Sequence, residues 1–598
     1  MGGQKPQPVE LPGDVAGGSA TDCTTSRLTD PAAVAQITCG LIFEHMKASV
    51  WSSVVMLLGI GVFQAWAVNV NYFWSADGST QGGTGTWNTT DQRWGTSASG
   101  PFTTVWDNTT LASDIANFGG TAGTVTVDSA GINARRVNVT TSGYVLQGGK
   151  ITSDQVNNAF MIDKSAANAV TINNDFDMSV TGTANIRLRN SGGLANPLTL
   201  GGTYKFLNAS GTKFLDLEGT GTSGSRIDFT GALLDTPGAT VRLRLGQAGT
   251  SAASDASVYN LSGNSTYAGG THVVRGTVNV LSSTALGVGG VQLATSVTPS
   301  GATVKMFVVG AIDLPSGVSL TTANPASGTV TAIFGKDVGD SSTSTINGNV
   351  NLNVDSTSLQ FHVHEAAAQV KLAGLVTDGA GTRGITKTGA GVLALNYGPG
   401  NTYDGTTTVS AGTLLVNNTS GSGTGTGAVN VSGGATLGGS GSVAGTVTTL
   451  AGNAAIAPGT SVGKLTVGNA NLAAGATLKF ELGPVTTPGT TYDWLAVSGL
   501  FTGSTAPNGL SFEFTDVGGL QLGVPYTLIT FANASGLDYT DLNATLLPSG
   551  AALDPGFGVG GWRISDTALQ VQFVPEPGTA GLVLLGVGLR LLIRRRSS

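Results

Sequence analysis

The chain has 598 residues, a formal net charge of −7 and only 11% charged residues, while glycine alone supplies 91 positions. Mild acidity with no basic footprint along the body argues against nucleic acid as a partner. A single compact core cannot absorb so long a chain of small residues, so repetition of a small unit is the expected solution.

Residues 1–45 are polar, contain Gly and Pro and show no periodicity; they read as a disordered extension, with translation expected to start at Met46. Both cysteines, Cys23 and Cys39, lie there, so the remainder carries no thiol and needs no reducing compartment. Residues 46–67 read as a signal peptide. Met46-Lys47 supplies the positive start, Val54 to Phe63 the apolar core, and Ala65 and Ala67 the small residues of a signal peptidase site. Export through the Sec machinery is the expectation.

Residues 68–130 hold Trp74, Trp87, Trp94 and Trp106, which are expected to cover the first exposed strand edge. From 131 to 480, Val, Leu and Ile alternate with small polar residues and Gly recurs every few positions. That pattern predicts many short strands. Ile186-Arg187-Leu188-Arg189 and Val241-Arg242-Leu243-Arg244-Leu245 place arginines on one side and aliphatics on the other, and Asn349 to Val354 does the same with Asn.

Two segments repeat. Tyr267, Gly269, Gly276 and Thr277 recur at matching offsets as Tyr403, Gly405, Gly412 and Thr413, each copy preceded by an Asn, Asn264 or Asn401. Each reads as strand, Gly turn, strand, Gly-Thr turn, strand. Such a unit is too small to bury its own apolar face and must stack on neighbours. From about Glu481 to 573 the periodicity changes, which predicts a terminal β cap. Residues 574–598 open with Val574, Pro575, Glu576 and Pro577. An apolar run from Thr579 to Ile593 follows, then Arg594, Arg595 and Arg596. The prolines keep the motif extended, the run is shorter than the roughly 20 residues of a comfortable span, and the arginines stay cytoplasmic. The segment reads as a transient stop in the inner membrane.

The chemistry-bearing candidates are few. His362 and His364 share one side of a strand and could approach one metal ion, but Phe361 and Val363 take the inward side and no nearby third histidine is available. The glycine run Gly421 to Gly427 lacks the Lys and the following helix of a phosphate loop and reads as a turn. Asp404, Asp493, Asp538 and Asp541 are possible acids of a glycosidase, with no sign of convergence in the sequence. No cofactor is expected.

The C-terminal segment closely resembles the PEP-CTERM sorting signal of Gram-negative bacteria. That resemblance implies cleavage at the motif by an exosortase and release or re-anchoring outside the cell. Residues 385–416 and 261–280 resemble the autotransporter-associated β-strand repeat, and the Trp-rich start resembles the opening of such proteins. The repeat family implies an all-β fold: a right-handed parallel β-helix of about 20 residues per coil, with strands about 4.8 Å apart. An N-terminal signal helix and a C-terminal transmembrane helix complete the expected architecture. The sorting signal stands where an autotransporter would carry its membrane barrel, so self-secretion is not carried over. The expected function is an exported adhesin-like structural or binding protein at the cell surface or in the extracellular matrix, with exopolysaccharide as the expected partner and no catalysis. The alternatives are a polysaccharide lyase or glycosidase on the same fold, and a surface-layer or appendage subunit.

Overall fold

The computed structural model describes residues 70–576, apart from 110–113, 155–158, 220–223, 247–254, 324, 326–327, 353–356, 451 and 505. The extension, the signal segment with Ala65 and Ala67, the apolar C-terminal run and the basic tail lie outside the described residues. Within them the chain is all β, with one short 3-10 turn at Tyr539–Asp541. No helix among them is long and apolar enough to cross a membrane.

Between the antiparallel strands at the two ends, successive strands do not pair with one another. Each pairs in parallel with a strand one coil later, so the chain winds as a β-solenoid with up to three strand-bearing faces. The first face holds 13 strands, from Val70–Trp74 to Val376–Thr377. The second face is a parallel ladder from Gly85–Trp87 to Pro525–Ser535. The third holds five strands between Ile132–Asn133 and Ala232–Leu233, and resumes with nine between Thr343–Ile346 and Leu542–Leu546. Side chains alternate as the pleat requires. In Ala184–Asn190, Ile186 and Leu188 are fully buried while Arg187 and Arg189 stand on the outside.

Coil length varies along the chain. Where three faces are occupied, Leu188 stands against Leu217, twenty-nine residues on. Around the first repeat only two faces carry strands, and Thr271 stands against Val291, twenty residues on. The expected coil of about 20 residues therefore holds around the repeats, while other coils are longer, whether they carry a third strand or, as where Leu495 stands against Ile529, longer strands and corners.

Both ends are closed. Trp74, Trp87, Trp94 and Trp106 are at most 1% exposed and pack edge-on, with Trp87–Trp106 ring centroids 4.9 Å apart. Trp94–Gly95 pairs antiparallel to the first strand, which ends parallel addition at that edge. At the other end the change at Glu481 does not end the stacking: Ala476–Leu482 still pairs in parallel with Leu510–Asp516, and Trp494–Thr502 with Pro525–Ser535. The altered period reflects longer strands. The antiparallel closure begins later, where Ala551–Leu553, Trp562–Ile564 and Pro525–Ser535 all pair with Ala568–Pro575.

Candidate binding face

The repeat residues occupy defined places in the coil. Tyr267 is fully buried and its hydroxyl lies 2.5 Å from Thr271 Oγ1. Tyr403 repeats this with Thr407 at 2.7 Å. In the first copy, Thr271–Val273 lies on the first face and Gly276–Val280 on the second. In the second copy, Thr407–Val409 lies on the second face and Thr413–Val416 on the third. The same motif is thus rotated by one face. In each copy the tyrosine sits just before the first strand, at the corner whose strand is missing, and its ring fills the space that strand's side chains would occupy.

The glycines serve this stacking. Gly276 has φ +80°, and a Cβ there would lie 2.7 Å from Ser257 O; Gly412 has φ +65°. Gly269 and Gly405 are needed for close approach, since added Cβ atoms would lie 2.3 Å and 2.1 Å from the backbone of the coil below. The run Gly421 to Gly427 covers the corner above Tyr403. Gly423 N–H donates to Ser442 O at 2.7 Å and Thr426 N–H to Tyr403 O at 3.1 Å. Those amides are committed to neighbouring coils and make no phosphate cradle.

Buried lysines were not anticipated from the sequence. Lys387 projects inward and donates to the carbonyls of Thr388 at 2.8 Å, Gly389 at 2.7 Å and Ala411 at 3.1 Å. Lys164 does the same with Ala166 O and Asn190 Oδ1, both at 2.9 Å. Burial pushes both ammonium groups down to about 8. Their readable signal is a Lys at an inward position of the alternation, as in Ile385-Thr386-Lys387.

Three of the four acids weighed for catalysis, Asp493, Asp538 and Asp541, are held by backbone amides. Asp493 is 2% exposed and accepts N–H bonds from Gly463 and Glu481, both at 2.7 Å. Burial pushes its carboxyl up to about 7 against those two donors. Asp538 caps the turn at Tyr539–Asp541, and Asp541 returns a bond to the Asp538 amide. Asp404 lies beside Asp378, whose carboxylate accepts the amides of Asp404 at 3.0 Å and Arg383 at 3.1 Å. The contact with Asp378 raises the Asp404 carboxyl. His362 is half-buried with Nδ1 3.0 Å from Thr388 Oγ1; His364 is exposed and meets Glu365 at 3.1 Å. Their rings lie 5.7 Å apart. Among the described residues no group of three or more His, Cys, Asp or Glu could hold a metal ion.

What the fold does assemble is a row. On the second face Gln360, Thr386, Thr408, Asn430, Thr448, Asn471, Thr502 and Ser535 stand in register, one above the other, in eight successive coils. All eight are partly or fully accessible, and all are uncharged hydrogen-bonding residues. At about 4.8 Å per coil the row extends roughly 30 Å. Elsewhere outward asparagines bond in ladders, as from Asn138 to Asn117 at 2.8 Å and from Asn417 to Asn396 at 3.0 Å.

The Val574-Pro575-Glu576 segment is partly inside the fold. Val574 and Pro575 end the last strand, paired with Ala552 and Ala551, and the Glu576 amide donates to Gly550 O at 2.9 Å. Pro577 lies outside the described residues.

Residues 255–280 and 385–416 match the passenger-associated-transport-repeat family. Over 85 residues, 13% of this chain, the sequence is 41% identical to the adhesin BmaC autotransporter of Brucella suis biovar 1. The match spans 2% of that relative's length.

Proposed function

We propose that the chain is an exported, adhesin-like β-solenoid of the cell surface or extracellular matrix, binding exopolysaccharide along its second face without catalysis. The in-register row from Gln360 to Ser535 carries this reading. A polymer of repeating hydroxyls laid along it meets a new donor or acceptor at every coil, so weak contacts accumulate by multivalency. The short likeness to an autotransporter adhesin supports surface display. The backbone duties of Asp493, Asp538 and Asp541, and of Asp378 beside Asp404, weigh against the glycosidase alternative.

The sorting reading rests on Val574, Pro575, Glu576 and Pro577, the apolar run and the arginines. In it, Sec exports the chain, the tail pauses in the inner membrane, and an exosortase cuts at the motif. The last strand ends at Pro575, so cutting beyond it leaves the closure against Ala551–Leu553 in place. Intact-mass analysis of the native extracellular protein tests both termini. The expected masses lack residues 1–67 and the basic tail; a tail still attached outside the membrane overturns the processing scheme. A glycan array of neutral and acidic polysaccharides tests the binding, with retention of at least one polymer class expected and none contradicting it.

A further inference from the structure

The first face carries a different feature, below the region where its outward residues become uncharged. Phe214, Arg242, Arg244, His272, Gln292 and Thr295 line a cavity of about 400 Å³. That is a volume within the range of small-molecule sites. Stacking alone brings these groups together. Phe214 stands against Arg242, and Arg244 against His272, which stands against Gln292. Arg244 is 8% exposed and is fully engaged, with Nε and Nη2 on Asp216 at 2.8 Å and 2.5 Å. Arg242 is not. It rests over the Phe214 ring at 5.6 Å, it has no acidic partner among the described residues, and its buried Nε has no hydrogen-bond partner. A half-buried guanidinium left with an open fork, beside two aromatic walls and an amide, is a receptor for a planar anion attached to a polar body.

We propose that this cavity binds the carboxylate of a uronic-acid residue within an acidic polysaccharide. The carboxylate takes the open edge of Arg242, the ring lies between Phe214 and His272, and Gln292 and Thr295 meet its hydroxyls. Burial, with Arg242 and Arg244 beside it, pushes His272 down to about 4, so its imidazole is neutral at physiological pH and does not compete as a second cation. The other groups facing it are Phe214 and the uncharged Gln292; Asp216 is taken up by Arg244. A phosphate site would gather several free cations or amides, whereas here one fork is open. The choice of a sugar as bearer of the carboxylate rests on the proposed adhesive function; the anion site does not.

The test is calorimetric titration of the full chain with trigalacturonate, the neutral galactose trimer and sulfate. Trigalacturonate should bind at least tenfold tighter than the neutral trimer. Arg242→Gln should abolish that preference, while circular dichroism shows an unchanged fold. Gln292→Ala should weaken trigalacturonate severalfold with the preference intact. The imidazole of His272, followed by NMR, should titrate at higher pH once trigalacturonate is bound. Equal binding of both trimers, an unchanged affinity in Arg242→Gln, or an unmoved His272 overturns the proposal; sulfate competing at equal concentration reduces the site to a general anion site and overturns the uronate assignment. A variant with the second-face row altered should keep trigalacturonate affinity, which separates failure of this site from failure of the row.

Discussion

At the scale of single residues, the solenoid depends on side chains that stand in for missing backbone. Tyr403 fills a corner that has no strand, and its hydroxyl pairs with Thr407 inside the core. Tyr403→Phe should cost about 1 kcal/mol by leaving the Thr407 hydroxyl unpaired. Tyr403→Ala should cost about 3–5 kcal/mol because the corner cannot collapse onto the space left. Both are measurable by chemical denaturation. Lys387 performs the same service for carbonyls, and Lys387→Met should cost about 1–3 kcal/mol by orphaning buried acceptors. Asp493 predicts a pH effect. Its folded value near 7 lies above the ordinary 3.8, so the folded state holds an extra proton between those values. Stability is then greatest below this window and falls as pH rises through it, by at most about 1.4 kcal/mol per pH unit. Asp493→Asn should flatten that part of the profile; an identical slope in the variant would contradict the assignment.

At the scale of elements, the period-two alternation was legible, because one side of every strand is buried. Arg187, Arg189, Phe361 and Val363 all point as the alternation requires. The repeat turns were legible too, since Gly276 and Gly412 hold positive φ that other residues resist. Gly412→Ala should cost about 1–3 kcal/mol through that strained backbone and the close approach to the coil below. The face each strand would join was not legible. Alternation reports inside against outside, whereas the face is set by how many residues each coil spends on its corners. The one-face rotation between the two repeat copies therefore has no signature in either copy. For the same reason the Arg242 cavity and the second-face row could not be read in advance, since their members lie about 20 to 30 residues apart and meet only once coil lengths are known.

At the scale of the whole solenoid unit, the same physics gives both stability and the proposed binding face. Each coil is held by the coils on either side, and the ends are closed by the tryptophan cluster and the antiparallel strands around Ala568–Pro575. The solenoid turns a sequence with little charge into columns of like residues, and a column is what an extended polymer can follow. In the proposed function, the column on the second face does the binding. Its most direct test is the affinity of a retained exopolysaccharide for the triple variant Thr386→Val, Thr408→Val and Thr448→Val, which keeps shape and strand preference and removes three hydroxyls. At least a tenfold loss with the fold intact is expected. Affinity equal to that of the unaltered chain would contradict it.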